Sequence, residues 1–203
     1  MLTSAVMEAY HNRQACRCFT VAISGIDAAG KGYVSRTLYQ ALTAQGFNVA
    51  LVNIDPWQNP QPVRLQKNNA AENFYQNVFR WNDLFHQLVF PLQRDKSICL
   101  QTTGILTSSD EYYPLIYDLK NIDILLLEGI FLFKRKYLVH YDFTVWVDCS
   151  FEKGLQRAIE RNAENLDEKT LIYDYQAIYY PAQQYHFKAD APMENAGLVI
   201  NNN

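Results

Sequence analysis

The sequence predicts an α/β fold, a three-layer α/β/α sandwich in which helices cover both faces of a mostly parallel, five-stranded sheet. Apolar runs of strand length alternate along the chain with longer segments in which apolar residues recur at helical spacing, which is typical of such a sheet. The first run leads into a glycine-rich loop, and two later runs end next to Asp55 and Glu128. Because ligands of parallel sheets bind beyond the carboxyl ends of the strands, these three strand ends indicate one binding site.

The N-terminal part of the chain contains two predicted strands. Residues 1–18 form an N-terminal extension, which we expect to be a short helix packed on the domain. The first strand covers residues 19–24, and a helix follows it to about residue 45, where Gly46 suits the C-terminal cap. The second strand covers residues 48–54.

The middle of the chain is less regular. Residues 58–69 are rich in Pro, Asn and Gln, which predicts an exposed loop. Apolar residues then recur at helical spacing over residues 70–90, and Pro91 is expected to end that helix. Residues 97–102 and 112–119 are short and ambiguous, and a small β-ribbon is one interpretation of them.

The C-terminal part returns to alternating elements. It contains a strand typical of burial on both faces, two further strands and two helical segments; the strands are 122–127, 141–147 and 198–200, and the helices are 150–164 and 168–180. No internal repeat and no long linker divides the chain, so residues 1–203 are predicted to form a single domain.

Composition limits the classes of function. The chain of 203 residues has 49% hydrophobic and 19% charged residues, as soluble globular proteins do, and a formal net charge of −3. This charge argues against bulk binding to nucleic acid, so an anionic ligand must meet a local basic cluster. No apolar run reaches membrane-spanning length and no secretory leader is visible, so we expect a cytoplasmic protein. The four cysteines lack zinc-site spacing and indicate reduced thiols.

The segment 25–32 reads Gly-Ile-Asp-Ala-Ala-Gly-Lys-Gly and joins the first strand to the helix that follows. This is the context in which the motif G-x-x-x-x-G-K-[ST] binds phosphate, because glycines let the backbone wrap the anion while the helix N-terminus and Lys31 supply positive charge. The alternative is a glycine-rich turn with an exposed lysine. We predict a nucleotide site formed by Gly25, Asp27, Ala28, Ala29, Gly30, Lys31, Gly32 and Tyr33.

Gly32 departs from the phosphate-binding motif. It stands where a Ser or Thr hydroxyl normally binds magnesium, and Tyr33 follows it. Asp27, inside the loop, is either functional or a hydrogen-bond partner of loop N–H groups.

Two carboxylates are candidates for catalysis. Asp55, just past the second strand, suits the acceptance of a proton from a substrate hydroxyl, although an acidic turn residue before Pro56 is the simpler alternative. Glu128 ends the most hydrophobic strand and suits the binding of magnesium, directly or through water. The alternative interpretation of Glu128 is a charge at the end of a strand that faces solvent.

Basic residues supply further candidates. Arg157 and Arg161 are four residues apart on a predicted helix and share one face, so they either neutralise a phosphate in transfer or form a surface stripe paired with Glu160 or Glu164. Arg64 either holds substrate or faces solvent. The run Lys-Arg-Lys at residues 134–136 indicates a solvated turn.

Together these stretches resemble the uridine kinase-like branch of the P-loop kinases, which includes phosphoribulokinase and pantothenate kinase. The similar segments are G-I-D-A-A-G-K at 25–31, D-P-W at 55–57, L-L-E-G-I-F-L at 126–132, Y-D-F-T-V-W-V-D at 141–148 and L-Q-R-A-I-E-R at 155–161. The resemblance runs in register from about residue 19 to residue 200, and its E-G-x-F and V-D…R-x-x-x-R stretches are the specific part.

The resemblance implies a P-loop NTPase core with a helical lid at about residues 150–180, and ATP and Mg²⁺ as cofactors. It implies that Lys31 contacts the β- and γ-phosphates, that Asp55 serves the acceptor hydroxyl and that residues 199–202 border the adenine. With Gly32 in place, magnesium would rely on phosphates, water, Asp55 and Glu128.

The resemblance leaves the acceptor open. Residues 114–119 are similar to the P-x-Y-D-F segment of uridine–cytidine kinases, but Lys120 and Asn121 follow where those enzymes have a His and an Arg near the nucleoside. Candidate substrate contacts in this chain are Trp57, Arg64 and Tyr117.

These observations lead to one main hypothesis and two alternatives. The main hypothesis is an ATP-dependent kinase, a phosphotransferase of EC 2.7.1 type with an alcohol group as acceptor, acting on a nucleoside-like or other small metabolite. The first alternative is a catalytically impaired nucleotide-binding sensor or interaction protein, and the second is an interaction protein that binds no nucleotide. We expect a small-molecule acceptor as partner and neither nucleic acid nor membrane, while a homo-oligomer is left open.

Overall fold

The computed structural model describes residues 1–13, 16–66, 68–162 and 166–203. The strands are β1 (Phe19–Gly25), β2 (Val49–Asn53), β3 (Ile98–Ile105), β4 (Tyr112–Leu119), β5 (Ile124–Glu128), β6 (Phe143–Asp148) and β7 (Leu198–Asn201). Five of them form one parallel sheet in the order β2-β5-β1-β6-β7, and β3 and β4 form a separate two-stranded sheet. The predicted α/β fold with a five-stranded parallel core and a small β-ribbon is confirmed.

Helices surround the sheet. They are α1 (Leu2–Asn12), α2 (Lys31–Ala44), α3 (Gln61–Arg64), α4 (Ala70–Asn77), α5 (Trp81–Asp83), α6 (Phe90–Asp95), α7 (Arg135–Leu138), α8 (Phe151–Arg161), α9 (Glu168–Asp174) and α10 (Tyr180–Asp190). Every residue of β1 and β5 is buried, as expected for central strands covered on both faces. None of the helices in the described ranges is long and apolar enough to cross a membrane.

The strand register brings the predicted site residues to one edge of the sheet. Glu128, the last residue of β5, lies opposite Ile23 of β1 on one side and Asn53 of β2 on the other. The glycine loop follows β1 directly, and Asp55 follows β2 by two residues. Three neighbouring strands therefore end at the same level, as the sequence predicts.

The described part of residues 58–69 is mostly exposed, as its composition predicts, but it is not wholly a loop and two of its side chains are buried. It contains the short helix α3, and Gln58 and Arg64 are buried. The guanidinium group of Arg64 donates hydrogen bonds to the carbonyl oxygens of Asn59 and Thr107, at 2.7 and 3.0 Å, and pairs with Asp110 at 3.0 Å. These partners satisfy its donors, which is why a charged residue in a polar segment can be buried here.

The prediction of one helix over residues 70–90, ended by Pro91, is wrong in two respects. The helix breaks at residues 78–80, and the second part continues past Pro91 to the end of α6. A π-helical turn over Leu84–Val89 directly precedes α6, and Pro91 lies in the first turn of α6. Proline clashes with the carbonyl four residues earlier in a regular helix, and the wider π-turn relieves that clash.

The same arrangement recurs near the C-terminus, where a π-turn over Tyr175–Tyr179 precedes Pro181 in the first turn of α10. Helices α8 and α9 and this turn cover the predicted lid, about residues 150–180. They share a small core of their own formed by Ala158, Leu171 and Tyr175. Residues 163–165, at the end of the predicted helix 150–164, and thus Glu164, lie outside the described residues.

A buried polar cluster joins α10 to α4 and to the first residue of α7. Asp190 accepts hydrogen bonds from the hydroxyl of Tyr75 at 2.5 Å and the backbone N–H of Arg135 at 2.9 Å, and its Oδ2 lies 2.7 Å from Nδ1 of His186. Burial raises the pKa of Asp190, but these hydrogen bonds outweigh it and the net pKa is below its usual value. Burial lowers the pKa of His186, so the imidazole is neutral at pH 7 and donates from Nδ1.

Lys134 belongs to the same region and is not the solvated residue that its run of charges predicts. Its side chain is buried, and Nζ donates to the carbonyl oxygen of Tyr75 at 2.5 Å and lies 3.9 Å from the centre of the Tyr75 ring. Burial, followed by repulsion from Lys136, lowers the pKa of Lys134 to about 8.

Candidate functional site

A cavity of about 650 Å³ opens beyond the carboxyl ends of β1, β2 and β5. Most of the predicted site residues line it: Asp27, Ala28, Gly30, Lys31, Gly32, Tyr33, Asp55, Arg64, Glu128, Arg157 and Arg161. The structure thus brings together side chains from the glycine loop, two strand ends and α8. Trp57 and Tyr117 are not among the described residues that line it.

The backbone of the glycine loop, residues 25–32, and of the first turn of α2 can surround an anion. We call this part of the site the anion cradle. Gly30 has φ +92°, a left-handed conformation, and a Cβ atom there would stand 2.4 Å from Nδ2 of Asn202, so only glycine fits. Helix α2 begins at the next residue and has no side-chain cap at its N-terminus. The first N–H groups of α2 therefore remain available to an anion in the cavity, where the helix dipole adds positive potential.

Lys31 is the first residue of α2. The side chain is buried, and Nζ donates a hydrogen bond to the carbonyl oxygen of Ile26 at 2.8 Å. The ammonium group is thus held within the loop and not in bulk solvent. This position contradicts the alternative in which an exposed lysine decorates an ordinary turn.

Asp27 is held by side chains from the lid. Its Oδ2 accepts a hydrogen bond from the hydroxyl of Tyr175 and lies 4.0 Å from Nη2 of Arg161. Among the described residues no loop N–H group donates to Asp27. The interpretation of Asp27 as a hydrogen-bond partner of loop N–H groups is therefore not supported. Asp27 instead couples the loop to α8 and to the turn after α9.

Asn53, the last residue of β2, connects the two candidate carboxylates. Its Nδ2 donates to Oε2 of Glu128 at 2.7 Å, and its Oδ1 accepts from the backbone N–H of Asp55 at 2.6 Å. Sequence reasoning missed Asn53 because a polar residue at a strand end is common. The amide fixes the orientation of Glu128 and the start of the turn that carries Asp55.

Asp55 has the most strongly altered acidity of the site. Asp55 is exposed to solvent within the cavity. The surrounding protein nevertheless desolvates the carboxyl group, and this desolvation is the largest cause of its pKa being raised to about 6. The negative charge of Glu128 acts in the same direction, and the positive charge of Lys31 opposes both. A carboxylate with such a pKa holds a transferred proton more firmly than an ordinary aspartate and is still ionised at pH 7.

Arg157 and Arg161 both reach the cavity from one face of α8, as their spacing predicts. Arg157 donates from Nη2 to the carbonyl oxygen of Asn202 at 2.8 Å, and Arg161 faces Asp27. Glu160 accepts a hydrogen bond from Gln156 and forms no ion pair with either arginine. Pairing of these arginines with Glu160 is therefore not observed, and Glu164, the other partner of the surface-stripe interpretation, lies outside the described residues.

The C-terminal segment closes one side of the loop. Asn202 donates from Nδ2 to the carbonyl oxygen of Ala29 at 2.7 Å, while its backbone N–H extends the pairing of β7 with β6 through Asp148. This segment contacts the loop and Arg157, so it borders the space next to the anion cradle. Whether it borders an adenine ring stays a prediction.

Arg36 is a cavity residue that sequence reasoning missed. Its guanidinium group stands over Gly32, and it forms no ion pair or hydrogen bond with any described residue. The signal was present in the sequence, since residues four apart on a helix share a face and side chains point back toward the N-terminus. A free cation beside the anion cradle adds to the positive charge of Lys31.

The predicted substrate contacts are placed differently from one another. Trp57 is fully buried and donates from Nε1 to the hydroxyl of Tyr117 at 3.1 Å, so these two residues contact each other. Arg64 lines the cavity, but its guanidinium group is engaged by Asp110 and two carbonyl oxygens. Other lining residues were missed because nothing in their local pattern marks them, namely Gln58, Ile130, Tyr179 and Gln183.

The residues present fit the nucleotide and metal that the resemblance implies. Magnesium is commonly bound in proteins through one or two carboxylates together with phosphates and water, and Asp55 and Glu128 supply two carboxylates beside the anion cradle. The described residues contain no group of three or more His, Cys, Asp or Glu side chains arranged to hold a metal alone. Metal binding would therefore depend on the nucleotide phosphates.

The sheet, the loop between β1 and α2 and the surrounding helices define the α/β fold of the P-loop kinases. In sequence, the chain is similar to the uridine kinase of Proteus mirabilis (strain HI4320), with 25% identity over 149 residues, which is 72% of this chain and 69% of that protein. This similarity and the fold confirm the resemblance to uridine kinase-like P-loop kinases that the motifs indicate. No family model matches the chain.

Two solved structures have the same fold over nearly the whole chain. A "possible uridine kinase" from Bacillus stearothermophilus has TM-score 0.73 and 21% identity, covering 98% of both chains. A protein from Silicibacter sp. TM1040, described provisionally as a fructose transport system kinase, has TM-score 0.79 and 17% identity, covering 98% of this chain and 97% of that one. At such identities these structures show the fold alone, and their descriptions name different small molecules.

Proposed function

We propose that the protein is an ATP- and magnesium-dependent kinase that transfers a phosphoryl group to a hydroxyl group of a small molecule. The observation that carries this proposal is Asp55, a carboxylate with a raised pKa, in the same cavity as the anion cradle of α2 and Lys31. Phosphoryl transfer needs positioning and charge neutralisation on one side and acceptance of a hydroxyl proton on the other, and this cavity offers both.

The charged residues of the glycine loop, the strand ends, α2 and α8 each have a part in this function. The α2 N-terminus and Lys31 bind the phosphates, with Arg36, Arg157 and Arg161 as further cations. Glu128, oriented by Asn53, and Asp55 hold Mg²⁺ directly or through water. The metal, when bound, neutralises charge on the phosphates. Asp55 accepts the proton of the acceptor hydroxyl.

The direct test measures ADP formation from ATP and Mg²⁺ across a panel of nucleosides, sugars and polyols. We expect the wild-type protein to turn over ATP with at least one acceptor and the Lys31→Ala variant to show no acceptor-dependent turnover. Lys153→Ala is a matched control, since Lys153 is exposed on α8 and does not line the cavity. Wild-type activity in Lys31→Ala would overturn the assignment.

A second candidate function has one observation in its favour, the absence of a hydroxyl group at residue 32. A protein with an intact anion cradle and weakened metal binding would bind nucleotide without efficient transfer, as a sensor or partner-binding module does. Tight binding of ATP or ADP in calorimetry, with no turnover across the whole panel, would favour this function. Absence of any nucleotide binding would leave an interaction protein on a P-loop kinase fold.

A further inference from the structure

The cavity wall outside the glycine loop, α2 and α8 carries polar groups with little free positive charge. Arg64 is the cation of this wall among the described residues, and Asp110 and two carbonyl oxygens engage it. Asp55 and Glu128 contribute negative charge. The remaining polar side chains in this part are carboxamides and hydroxyls, which form hydrogen bonds and do not attract anions.

Gln183 is the most unusual of these side chains. It lies on α10, is 1% exposed and lines the cavity, and neither its Nε2 nor its Oε1 has a hydrogen-bond partner among the described residues. A buried carboxamide without partners destabilises a fold unless water or a ligand satisfies it. The side chain therefore has one acceptor and two donor hydrogens without partners, and a polar molecule that reaches it from the cavity would satisfy them.

Gln58 repeats the observation close to Asp55. It is also buried, its Oε1 has no partner in the described part of the chain, and it lines the same cavity. Its backbone N–H donates to the carbonyl oxygen of Asp55 at 3.1 Å, so it is fixed one turn beyond the proposed base. A molecule that presents a hydroxyl group to Asp55 lies within the region that Gln58 lines.

Two aromatic rings give this wall an apolar part. The centroids of Phe74 on α4 and Tyr179 before α10 are 5.0 Å apart, and both residues line the cavity. Such rings pack against the carbon skeleton of a sugar or a ring, and the carboxamides bind its hydroxyl or amide groups.

We infer that the carboxamides of Gln183 and Gln58 bind the phosphate acceptor and that this acceptor is an uncharged, polyhydroxylated small molecule and not a carboxylate or a phosphate ester. The inference rests on the proposed kinase function. It follows from the unpartnered carboxamides and from the engaged charge of Arg64, which leaves this wall, among the described residues, without a free cation for an anionic acceptor.

The test pairs Gln183→Leu with Gln184→Leu. Gln184 is the adjacent residue of the same type, but it is exposed and does not line the cavity. We expect Gln183→Leu to raise the KM for the acceptor by about tenfold, the loss of a hydrogen bond, with the KM for ATP unchanged. The same variant is expected to unfold at a higher temperature, because leucine has no unpaired polar atoms. A merely structural glutamine would not combine higher stability with weaker acceptor binding, and Gln184→Leu should match the wild type in both.

The substrate class is tested with neutral and anionic pairs that keep the same hydroxyl group: glycerol and glycerate, ribulose and ribulose 5-phosphate, pantothenol and pantothenate, with nucleosides added as further neutral acceptors. Phosphorylation of neutral members supports the inference. Preference for an anionic member, or a wild-type acceptor KM in Gln183→Leu, overturns it and leaves the kinase function intact.

Failure of the kinase function itself has a different signature. If the wild-type protein phosphorylates no acceptor, calorimetric binding of the same panel in the presence of ADP still decides the inference. Binding of a neutral compound that Gln183→Leu weakens supports it. Absence of binding, or binding that Gln183→Leu leaves unchanged, overturns it.

Discussion

The guanidinium group of Arg36 stands over Gly32, with Nη1 3.5 Å from the point that a Cβ atom on residue 32 would occupy. This distance is an ordinary contact, and Gly32 is not among the glycines with left-handed φ. The backbone therefore does not require glycine at this position. The geometry of the loop would accept a residue with a hydroxyl group at this position, so the lack of that hydroxyl is a difference in the chemistry of the loop and not a requirement of its backbone.

Restoring a hydroxyl group at residue 32 should strengthen metal binding. We expect Gly32→Ser to lower the Mg²⁺ concentration required for half-maximal ADP formation several-fold, because the new hydroxyl adds an oxygen ligand next to the phosphates. Gly32→Ala is the matched control for the added Cβ atom. Equal magnesium dependence of the two variants would show that residue 32 does not approach the metal.

Removal of the Arg36 charge should weaken the binding of phosphates. Arg36→Gln removes the charge and keeps a polar side chain, and we expect it to raise the Kd for ATP by about tenfold, within the range for hydrogen bonds to charged groups, while leaving the Kd for adenosine unchanged. Titration calorimetry measures both. Arg94→Gln is the control because Arg94 is exposed and does not line the cavity. An equal loss for ATP and adenosine would argue against a phosphate contact.

Asp55→Asn should separate nucleotide binding from transfer. The amide cannot accept the hydroxyl proton, so we expect the transfer rate to fall by roughly 10²- to 10⁴-fold, the usual contribution of a general base. The Kd for ADP without metal should stay within a factor of about three. Asp118→Asn on the exposed ribbon is the control, and an unchanged rate in Asp55→Asn would place the base elsewhere.

The raised pKa of Asp55 predicts two pH dependences. The wild-type kcat/KM for ATP, which reports the protonation of the enzyme before nucleotide and metal bind, should fall as the pH drops through about 6, because the base becomes protonated there. The free energy of unfolding should change in the opposite direction and rise as the pH falls. Below its ordinary value of 3.8 the carboxyl group is neutral in the folded and the unfolded protein, whereas above about 6 its ionisation costs folding free energy. Asp55→Asn should therefore melt at a higher temperature than the wild type at pH 8, and this difference should vanish near pH 4.

The buried cluster around Asp190 predicts a large loss of stability. Asp190→Ala leaves the hydroxyl of Tyr75, Nδ1 of His186 and the N–H of Arg135 without their acceptor. We expect the free energy of unfolding in urea to fall by about 3 kcal/mol. Asp95→Ala, which removes an exposed ion pair, should change the free energy of unfolding far less. A loss for Asp190→Ala as small as that of the control would contradict the cluster.

The sheet and the anion cradle could be predicted from the sequence because their signals are local. Apolar runs of β1 and β5 reflect burial on both faces, and the loop motif fixes its own backbone. The errors lie where distant partners decide the outcome. Arg64 is buried because Asp110 and distant carbonyl oxygens satisfy it, and Lys134 is buried over Tyr75.

The acceptor side of the site could not be predicted for a related reason. Gln58 and Gln183 have no motif around them, and more than one hundred residues separate them along the chain. Only the packing of α4, α10 and the turn after β2 brings them to one cavity. Arg36, on the phosphate side of the cavity, differs from them, because its spacing of four residues from Gly32 was sufficient to place it at the loop.

The π-turn at Tyr175–Tyr179 affects how the acceptor residues of different kinases can be compared. Relative to an uninterrupted α-helix, one additional residue in a turn rotates every later side chain by about 100°. In this chain that rotation contributes to the direction in which Gln183 points. A related sequence without the turn would present a different helical position to its cavity, even with every aligned residue identical. Columns of a sequence alignment across α10 therefore do not identify equivalent acceptor contacts, and superposed coordinates are needed to match them.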